Sequence, residues 1–439
     1  MKRNIKNHII YQIFLRAFTS KGTLKAAEKM LPQIADLGAD IVYLCPIVLA
    51  DDDMNQEFWS PRQMKSGVGN PKNPYRIKDY YVIDPEYGTD ADLKSFVDTA
   101  HKLGLIVMLD LVYYHCGPEA VFIEEHPDFV LRDENGSIKN MSWKFPGLNF
   151  KSAELRRYLI NNMKYFVTEF NIDAYRADVG DGIPLDFWEQ ARAELDEIKP
   201  DLIMLNEGTN PDYVKSAFDM LYGFGIAGVL QKICKCEYNV SKIKEYLMER
   251  KSQLPDGAVE LLMFDSHDYA NESYDIRFDT QFGPGATEAV HTLLLTLYGV
   301  PFIYNGYEVC DTNRHSIFYN RDYKGNMIIE WDNIFTEKGG KRYNYLKEMI
   351  KLRRGNPALT DGEVVWIDNN TPDEVISFIR SVSDQKIAVI INLSGKTVHT
   401  TLDIKIEPGE ILNARETYTN GDKIDILPYG WCIIELQGE

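Results

Sequence analysis

The sequence predicts an α/β protein in which a closed barrel of eight parallel strands is followed by a smaller all-β domain. Short β-branched runs alternate with amphipathic segments over most of the 439 residues. Repeated β–α units of this kind indicate a parallel sheet. About eight of them favour a closed (β/α)8 TIM barrel. A doubly wound sheet is the alternative, but no G-x-G-x-x-G motif follows the first predicted strand.

The predicted elements follow one another along the chain at regular spacing. Strands are predicted at residues 9–15, 41–45, 106–113, 172–178, 202–207, 217–222, 259–264 and 301–305. The clearest helices between them are predicted at residues 24–37, 90–103, 153–170 and 184–198. Their apolar residues recur at the 3.6-residue spacing of helices that pack one face on a sheet.

Two regions interrupt the alternation. Residues 114–150 are rich in turn formers and too long for an ordinary loop, which predicts a small inserted subdomain after the third strand. After about Asn356 the helical period disappears, and strand-like runs at 363–367, 375–380, 386–392 and 431–436 predict a C-terminal β-sandwich. We therefore assign the barrel to residues 1–113 and 151–357, the inserted subdomain to 114–150 and the sandwich to 358–439.

The composition narrows the classes of function. With 48 Lys and Arg against 66 Asp and Glu, the formal net charge is −18. An acidic chain of this kind is a poor partner for nucleic acid or an anionic membrane and suits a neutral substrate. The six cysteines show no spacing typical of a zinc site, and reduced thiols are typical of the cytoplasm. No secretion signal or membrane span is recognisable, so we expect a cytoplasmic protein.

Three acidic residues stand at the C-terminal ends of predicted strands: Asp178, Glu207 and Asp268. In a barrel these ends form the mouth where active sites are built, so the three carboxylates are predicted to converge. Cleavage of a glycosidic bond needs one carboxylate that attacks the anomeric carbon and one protonated carboxyl that donates to the leaving oxygen. A single acid at a strand end is usually a cap or a salt bridge, and only the joint pattern favours catalysis.

The neighbours of these acids divide the two roles between them. Arg176 lies two residues before Asp178 on the same strand face, so its guanidinium is expected to keep Asp178 ionised as the nucleophile. Apolar residues precede Glu207, and partial burial would raise its pKa, as a proton donor requires. His115 and His267 flank strand ends and are candidates for hydrogen bonds to sugar hydroxyls, although each could equally be structural.

The chain resembles the α-amylase family of glycoside hydrolases, from about Tyr11 into the C-terminal domain. Seven segments carry the likeness in the family's order: 74–80 (PYRIKDY), 110–115 (DLVYYH), 146–149 (PGLN), 173–178 (DAYRAD), Glu207, 264–268 (FDSHD) and 299–306 (GVPFIYNG). The resemblance implies that Asp178 is the nucleophile, Glu207 the acid/base and Asp268 a transition-state stabiliser. It also implies that Asp110 supports Arg176. Four residues would line the same sugar subsite: Tyr75, His115, Arg176 and His267.

Departures from the family pattern bear on metal binding. Tyr114 stands where many members have an Asn that ligates a structural calcium, and Gly147 stands in place of an Asp. A phenol is a poor calcium ligand beside an amide carbonyl or a carboxylate. We therefore expect this calcium site to be absent and no cofactor to be required, although calcium elsewhere, such as at the acidic run 51–53, is not excluded by the sequence.

The expected activity is retaining hydrolysis of α-1,4-glucosidic bonds in maltooligosaccharides or starch-like α-glucans. The alternatives within the family are an α-glucosidase, including α-1,6-specific forms, or a glucan transglycosylase. A non-catalytic sugar-binding relative is disfavoured because all three acids are present. Chain-length preference is expected to depend on the loops 51–73 and 311–333, and the sequence leaves the oligomeric state open.

Overall fold

A computed structural model of the chain describes residues 5–269, 277–323, 327–404, 408–420 and 423–437. Its central part is a closed barrel of parallel strands, which confirms the predicted fold class. The eight strands are β1 (Ile10–Ile13), β2 (Ile41–Leu44), β3 (Ile106–Leu111), β4 (Ala174–Ala177), β5 (Ile203–Asn206), β6 (Met220–Leu221), β7 (Val259–Leu262) and β8 (Val300–Tyr304). Each pairs with its neighbours in the chain, and β8 pairs with β1 to close the barrel. All C-terminal strand ends therefore lie at one mouth.

Helices connect the strands and cover the barrel. The α-helices that precede β5 are Leu15–Phe18, Leu24–Glu28, Leu31–Leu37, Pro61–Ser66, Asp90–Lys102, Ala153–Phe170 and Leu185–Asp196. Those that follow β5 are Tyr213–Ser216, Phe224–Cys234, Ser241–Gln253, Phe278–Phe282, Pro284–Thr296, Glu337–Gly355 and Pro357–Thr360. In the described part of the chain, none of the helices combines the length and the apolarity needed to cross a bilayer.

Local sequence signals explain where several helices begin and end. Thr89 and Asp92 form a reciprocal capping box at the start of the helix Asp90–Lys102. The helix Ala153–Phe170 begins at a Ser152 cap and ends at Asn171, whose φ of 56° stops further helix. The single helix predicted over residues 24–37 is two helices, because a proline in the first turn of Leu31–Leu37 lacks the N–H that a continuous helix needs.

Two insertions lie above the mouth of the barrel. The first contains an antiparallel pair of strands, Val48–Ala50 and Ile77–Ile83, which the sequence analysis did not predict. The second, residues 114–150, is held by isolated bridges such as His115 to Gly147. Asp51 ties the two together: its carboxylate pairs with the buried Arg76 at 3.1 Å and accepts a hydrogen bond from the backbone N–H of Glu119 at 2.8 Å.

The C-terminal domain is a connected antiparallel sheet of six strands. They are β9 (Glu363–Trp366), β10 (Val375–Val382), β11 (Gln385–Asn392), β12 (Val398–Thr401), β13 (Pro408–Asn420) and β14 (Lys423–Leu436). The long β14 pairs with β12 through its first half, with β11 through its second half, and with β13 along both. The strand β11 is buried on both faces: Ile387 and Val389 join the barrel core, and Ala388 and Ile390 join a second core inside the domain.

Candidate active site

The mouth of the barrel holds a pocket of about 410 Å³, within the range usual for small-ligand sites. Asp178 directly follows β4, Glu207 directly follows β5, and Asp268 lies in the segment after β7. All three line the pocket, so the structure brings together the three acids that the sequence singled out. Parallel strands with short connections deliver their C-terminal residues to one edge, which explains the convergence.

Arg176 is the buried centre of the site. Its Nη1 donates to Asp110 Oδ1 at 2.6 Å and to Asp178 Oδ1 at 2.9 Å, and its Nη2 forms an ion pair with Glu207. The strand register explains the contact with Asp110, because Arg176 on β4 lies directly beside Asp110 on β3. One fully enclosed guanidinium therefore holds three carboxyl groups, and the carboxyls of Asp178 and Glu207 lie side by side on its two terminal nitrogens.

The environment changes the acidity of both carboxyls. Burial raises the pKa of Glu207 to about 7 against the opposing pull of Arg176, and the nearby charge of Asp268 adds to the rise. Burial also raises the pKa of Asp178, and the charge on Glu207 raises it further. The expectation that Arg176 keeps Asp178 ionised is therefore incomplete, because burial and the charge on Glu207 outweigh its attraction.

Asp268 has the opposite electrostatic setting. Burial alone would raise the pKa of Asp268, but His267, Arg62 and Arg176 lower it to about 2. Arg62 donates from Nη1 to Asp268 Oδ1 at 2.7 Å. Asp268 is therefore a fixed carboxylate across the working pH range, suited to accept hydrogen bonds from sugar hydroxyls.

Tyr75 and His267 form one hydrogen-bonded unit. Gln12 Nε2 donates to His267 Nδ1 at 2.8 Å, so the ring proton lies on Nε2 and faces the Tyr75 hydroxyl at 2.6 Å. That hydroxyl in turn donates to Asp110 Oδ2 at 2.9 Å. The two rings stack with centroids 5.3 Å apart and planes 7° apart. Tyr75 lines the pocket while one face of its ring packs on His267.

His115 presents an acceptor to the pocket that it lines. Its Nε2 donates to the backbone carbonyl of Tyr75 at 2.8 Å, so Nδ1 carries no proton. Burial lowers the pKa of His115 to about 4, which keeps the ring neutral. Within the described residues, His115 Nδ1 and Asp178 Oδ2 are buried and have no hydrogen-bond partner. A polar ligand in the pocket would satisfy both atoms.

The walls of the pocket come from several loops. Trp143 and Phe145 belong to the inserted subdomain, and Phe224 follows β6. The loops 51–73 and 311–333 also reach the pocket, through Ser60, Arg62 and Asn73 and through Ile317 and Phe318; residues 324–326 of the second loop lie outside the described residues. Aromatic and apolar walls around a few polar groups are typical of sites that bind neutral sugars.

Sequence reasoning missed two residues of this constellation. Arg62 contacts Asp268, and Gln12 fixes the ring of His267. Gln12 lies on β1 with a fully buried side chain, and a glutamine inside an otherwise apolar strand was the available signal. Arg62 lies on the short helix Pro61–Ser66, and nothing local distinguishes it from a surface arginine.

Family models match nearly the whole chain. A model of the α-amylase catalytic domain matches residues 6–135 and 131–348, and a model of the α-amylase C-terminal all-β domain matches residues 366–426. The chain belongs to the α-amylase family. The family assignment made from seven short segments is thereby confirmed, and the chain is a glycoside hydrolase by family.

Individual members of the α-amylase family align with most of the chain. The maltogenic α-amylase of Bacillus acidopullulyticus is 26% identical over 94% of this chain and 71% of its own length. A cyclomaltodextrinase of Geobacillus thermopakistaniensis is 28% identical over 95% of this chain and 70% of its own. The crystal structure of a noncanonic maltogenic α-amylase from Thermotoga neapolitana superposes with a TM-score of 0.82 at 26% identity, covering 99% of both chains.

Tyr114 stands at the position where many members of the α-amylase family have a calcium ligand. The ring of Tyr114 packs edge-on against Trp143. It also lies so close to Gly182 that a Cβ at position 182 would be 2.6 Å from the Tyr114 ring. No cluster of three His, Cys, Asp or Glu side chains suitable for a metal occurs among the described residues. In the acidic run 51–53, Asp51 pairs with Arg76 and Asp52 with Lys78. Independence from calcium stays a prediction.

Proposed function

We propose that this member of the α-amylase family hydrolyses α-1,4-glucosidic bonds in maltooligosaccharides by double displacement with retention of the anomeric configuration. The observation that carries the proposal is the position of two carboxyls, those of Asp178 and Glu207, on the adjacent terminal nitrogens of Arg176. Carboxyls held on one guanidinium leave no room for a water between the second carboxylate and the anomeric carbon, which favours the retaining over the inverting geometry.

In the proposed mechanism Asp178 attacks the anomeric carbon. Its Oδ2 faces no protein donor among the described residues, whereas its Oδ1 is held by Arg176. Glu207 gives its proton to the leaving oxygen and then removes a proton from the water that cleaves the glycosyl-enzyme. A pKa of about 7 suits both steps, because the group then exchanges protons readily near neutral pH.

The remaining pocket residues bind and orient the sugar. Asp268 accepts hydrogen bonds from sugar hydroxyls as a permanent carboxylate, and His115 accepts another through Nδ1. Tyr75 and His267 form one wall of the same subsite, and Asp110 fixes Arg176 from behind. These roles cost no reorganisation during the reaction, because each side chain is already held by a neighbour.

Several observations support maltooligosaccharides as the substrate class. The names of the relatives refer to formation of maltose and to cleavage of cyclomaltodextrins. The net charge of −18 disfavours nucleic-acid and anionic-membrane partners.

We further propose a cytoplasmic location, which six unpaired cysteines support.

The test is a digest of maltotriose, starch, pullulan, isomaltose and sucrose with identified products, followed by proton NMR of the first product formed from maltotriose. The proposal expects maltose and glucose from maltotriose, with the new reducing end appearing first as the α-anomer. The substitution Asp178→Asn should abolish this activity, whereas Asp186→Asn on the exposed face of the next helix should not. Initial release of the β-anomer, or full activity of Asp178→Asn, would contradict the mechanism.

A further inference from the structure

We propose that Asp181 is a positioning residue for the acid/base Glu207, and that it acts by clamping the turn after β5 against the turn after β4. The inference rests on the proposed role of Glu207. Asp181 is three residues beyond the nucleophile, and its exposed side chain lies outside the pocket. Any effect on the chemistry must therefore pass through the residues that it holds.

The carboxylate of Asp181 binds the chain on both sides of Glu207. Its Oδ1 accepts a hydrogen bond from Asn206 Nδ2 at 2.7 Å. Its Oδ2 accepts from the backbone N–H of Thr209 at 2.8 Å and from that of Asn210 at 3.0 Å. A group that only accepts hydrogen bonds suits a position where three donors converge. The acid/base is thus enclosed between residues that one side chain fixes.

Glycines allow the two turns to approach this closely. A Cβ at Gly208 would lie 2.1 Å from Asp181 Oδ1, and a Cβ at Gly180 would lie 2.0 Å from Asn206 Oδ1. Neither position has room for a side chain while the clamp is closed. The contact between the turns is therefore a built feature of both segments and not a chance meeting of one exposed acid with a loop.

The backbone of Val179 transmits the clamp to the carboxyl of Glu207. Val179 has φ 46° and ψ 43°, a left-handed conformation that is unfavourable for a β-branched residue. Its N–H donates to Glu207 Oε2 at 2.9 Å. Such strain persists only where the surroundings enforce it. Trp188 holds the next residue, since its Nε1 donates to the carbonyl of Gly180 at 3.2 Å. The residue after that is Asp181 itself, which its three hydrogen bonds anchor to the turn after β5.

The chemistry supplies a test specific to the acid step. When a glycosidic bond breaks, the leaving oxygen takes the proton of Glu207, whereas fluoride leaves an α-glycosyl fluoride as an anion and needs no proton. The test compares kcat/KM for maltotriose with kcat/KM for α-maltosyl fluoride. This parameter covers the steps up to departure of the leaving group. Asp181→Ala should lower kcat/KM about tenfold or more for maltotriose and less than about threefold for the fluoride.

Matched variants separate positioning from general damage. Asp181→Asn should retain most of the activity, because its amide oxygen still accepts from Thr209 and Asn210 and the side-chain amide of Asn206 can turn to meet it. Gly208→Ala, which displaces the carboxylate from the other side, should reproduce the leaving-group dependence of Asp181→Ala. Asp212→Ala, in the same loop but paired with Lys215, should behave as wild type.

The pH profile adds a second readout. Loss of the Val179 N–H bond removes a donor that favours the ionised form of Glu207, so its pKa rises. The pH above which kcat/KM for maltotriose falls should then be higher in Asp181→Ala than in wild type. Equal losses on both substrates, or no loss in either Asp181→Ala or Gly208→Ala, would overturn the inference. If Glu207→Gln itself lacked the leaving-group dependence, the proposed function would fail instead.

Discussion

Replacing Glu207 by Gln is expected to abolish hydrolysis and, at alkaline pH, to stabilise the fold. The buried carboxyl has a pKa of about 7 in the folded protein and about 4.5 in the unfolded chain. A group whose pKa is raised by folding stabilises the fold while it is protonated, and that contribution is lost as the pH rises through 7. A glutamine keeps the shape of the side chain and never ionises.

The size of the effect follows from the same pKa values. The difference of about 2.5 pH units, at about 1.36 kcal/mol each, gives about 3 kcal/mol of destabilisation above pH 8. No discount for solvent applies, because the side chain is only 10% exposed. With an unfolding entropy of about 2.1 cal/mol/K per residue, the 439 residues give about 0.9 kcal/mol/K. The substitution should therefore raise Tm by about 3 °C at pH 8.5.

The assay is calorimetric unfolding of wild type and Glu207→Gln at pH 5 and pH 8.5. At pH 5 the folded wild type is already protonated at this site, so the two proteins should differ by no more than about 1 °C. The exposed residue Glu134, changed to Gln, provides the control and should show no such dependence. If Glu207→Gln gained no stability between pH 5 and pH 8.5 relative to wild type, the raised pKa of Glu207 would be refuted.

Three further predictions follow from the site. Because hydrolysis needs protonated Glu207, kcat/KM for maltotriose should fall about tenfold per pH unit above about pH 7, as stopped assays across pH 5–9 would measure. Arg62→Met removes a cation that lowers the pKa of Asp268, so KM for maltotriose should rise severalfold. The free energy of unfolding at pH 7 should fall by about 0.2–1 kcal/mol, because the ion pair is partly exposed. Lys65→Met on the same helix should change neither quantity. Dialysis against a chelator should leave activity and Tm unchanged, because Tyr114 is a poor calcium ligand. A loss of activity or Tm that added calcium restores would contradict this prediction.

The barrel and the positions of its acids were accessible from the sequence because their signals are local. Most residues of the barrel strands are apolar, and Asp178 and Glu207 directly follow two of these strands. Once the alternation of strands and helices predicts a barrel, strand ends must meet at the mouth. The convergence of the three acids could be predicted before any distance was known for the same reason.

The features that the sequence did not predict depend on contacts between distant segments. The antiparallel pair of strands Val48–Ala50 and Ile77–Ile83 joins runs separated by a long irregular stretch. Arg62 reaches Asp268 across 206 positions of the chain, and no pattern near Arg62 announces it. The six strands of the C-terminal domain form one connected sheet around two cores, because β14 pairs along its length with three different strands.

The balance of charge in the site was also beyond the sequence. The position of Arg176 beside Asp178 and its support by Asp110 were predicted, but the ion pair of the same guanidinium with Glu207 was not. Burial and the charge on Glu207 raise the pKa of Asp178, whereas a single ion pair with Arg176 would have lowered it. Such an outcome requires the burial and the full set of neighbours.

The central claim is that Asp178 forms a covalent bond to the sugar during the reaction. Incubation with 5-fluoro-α-glucosyl fluoride slows the reaction and allows the intermediate to accumulate, and mass spectrometry of the intact protein and of its peptides locates the label. The account predicts one added glycosyl group per chain, on the peptide that contains Asp178, and no label in Asp178→Asn. A label on Glu207 or Asp268, or turnover without any covalent intermediate, would contradict it.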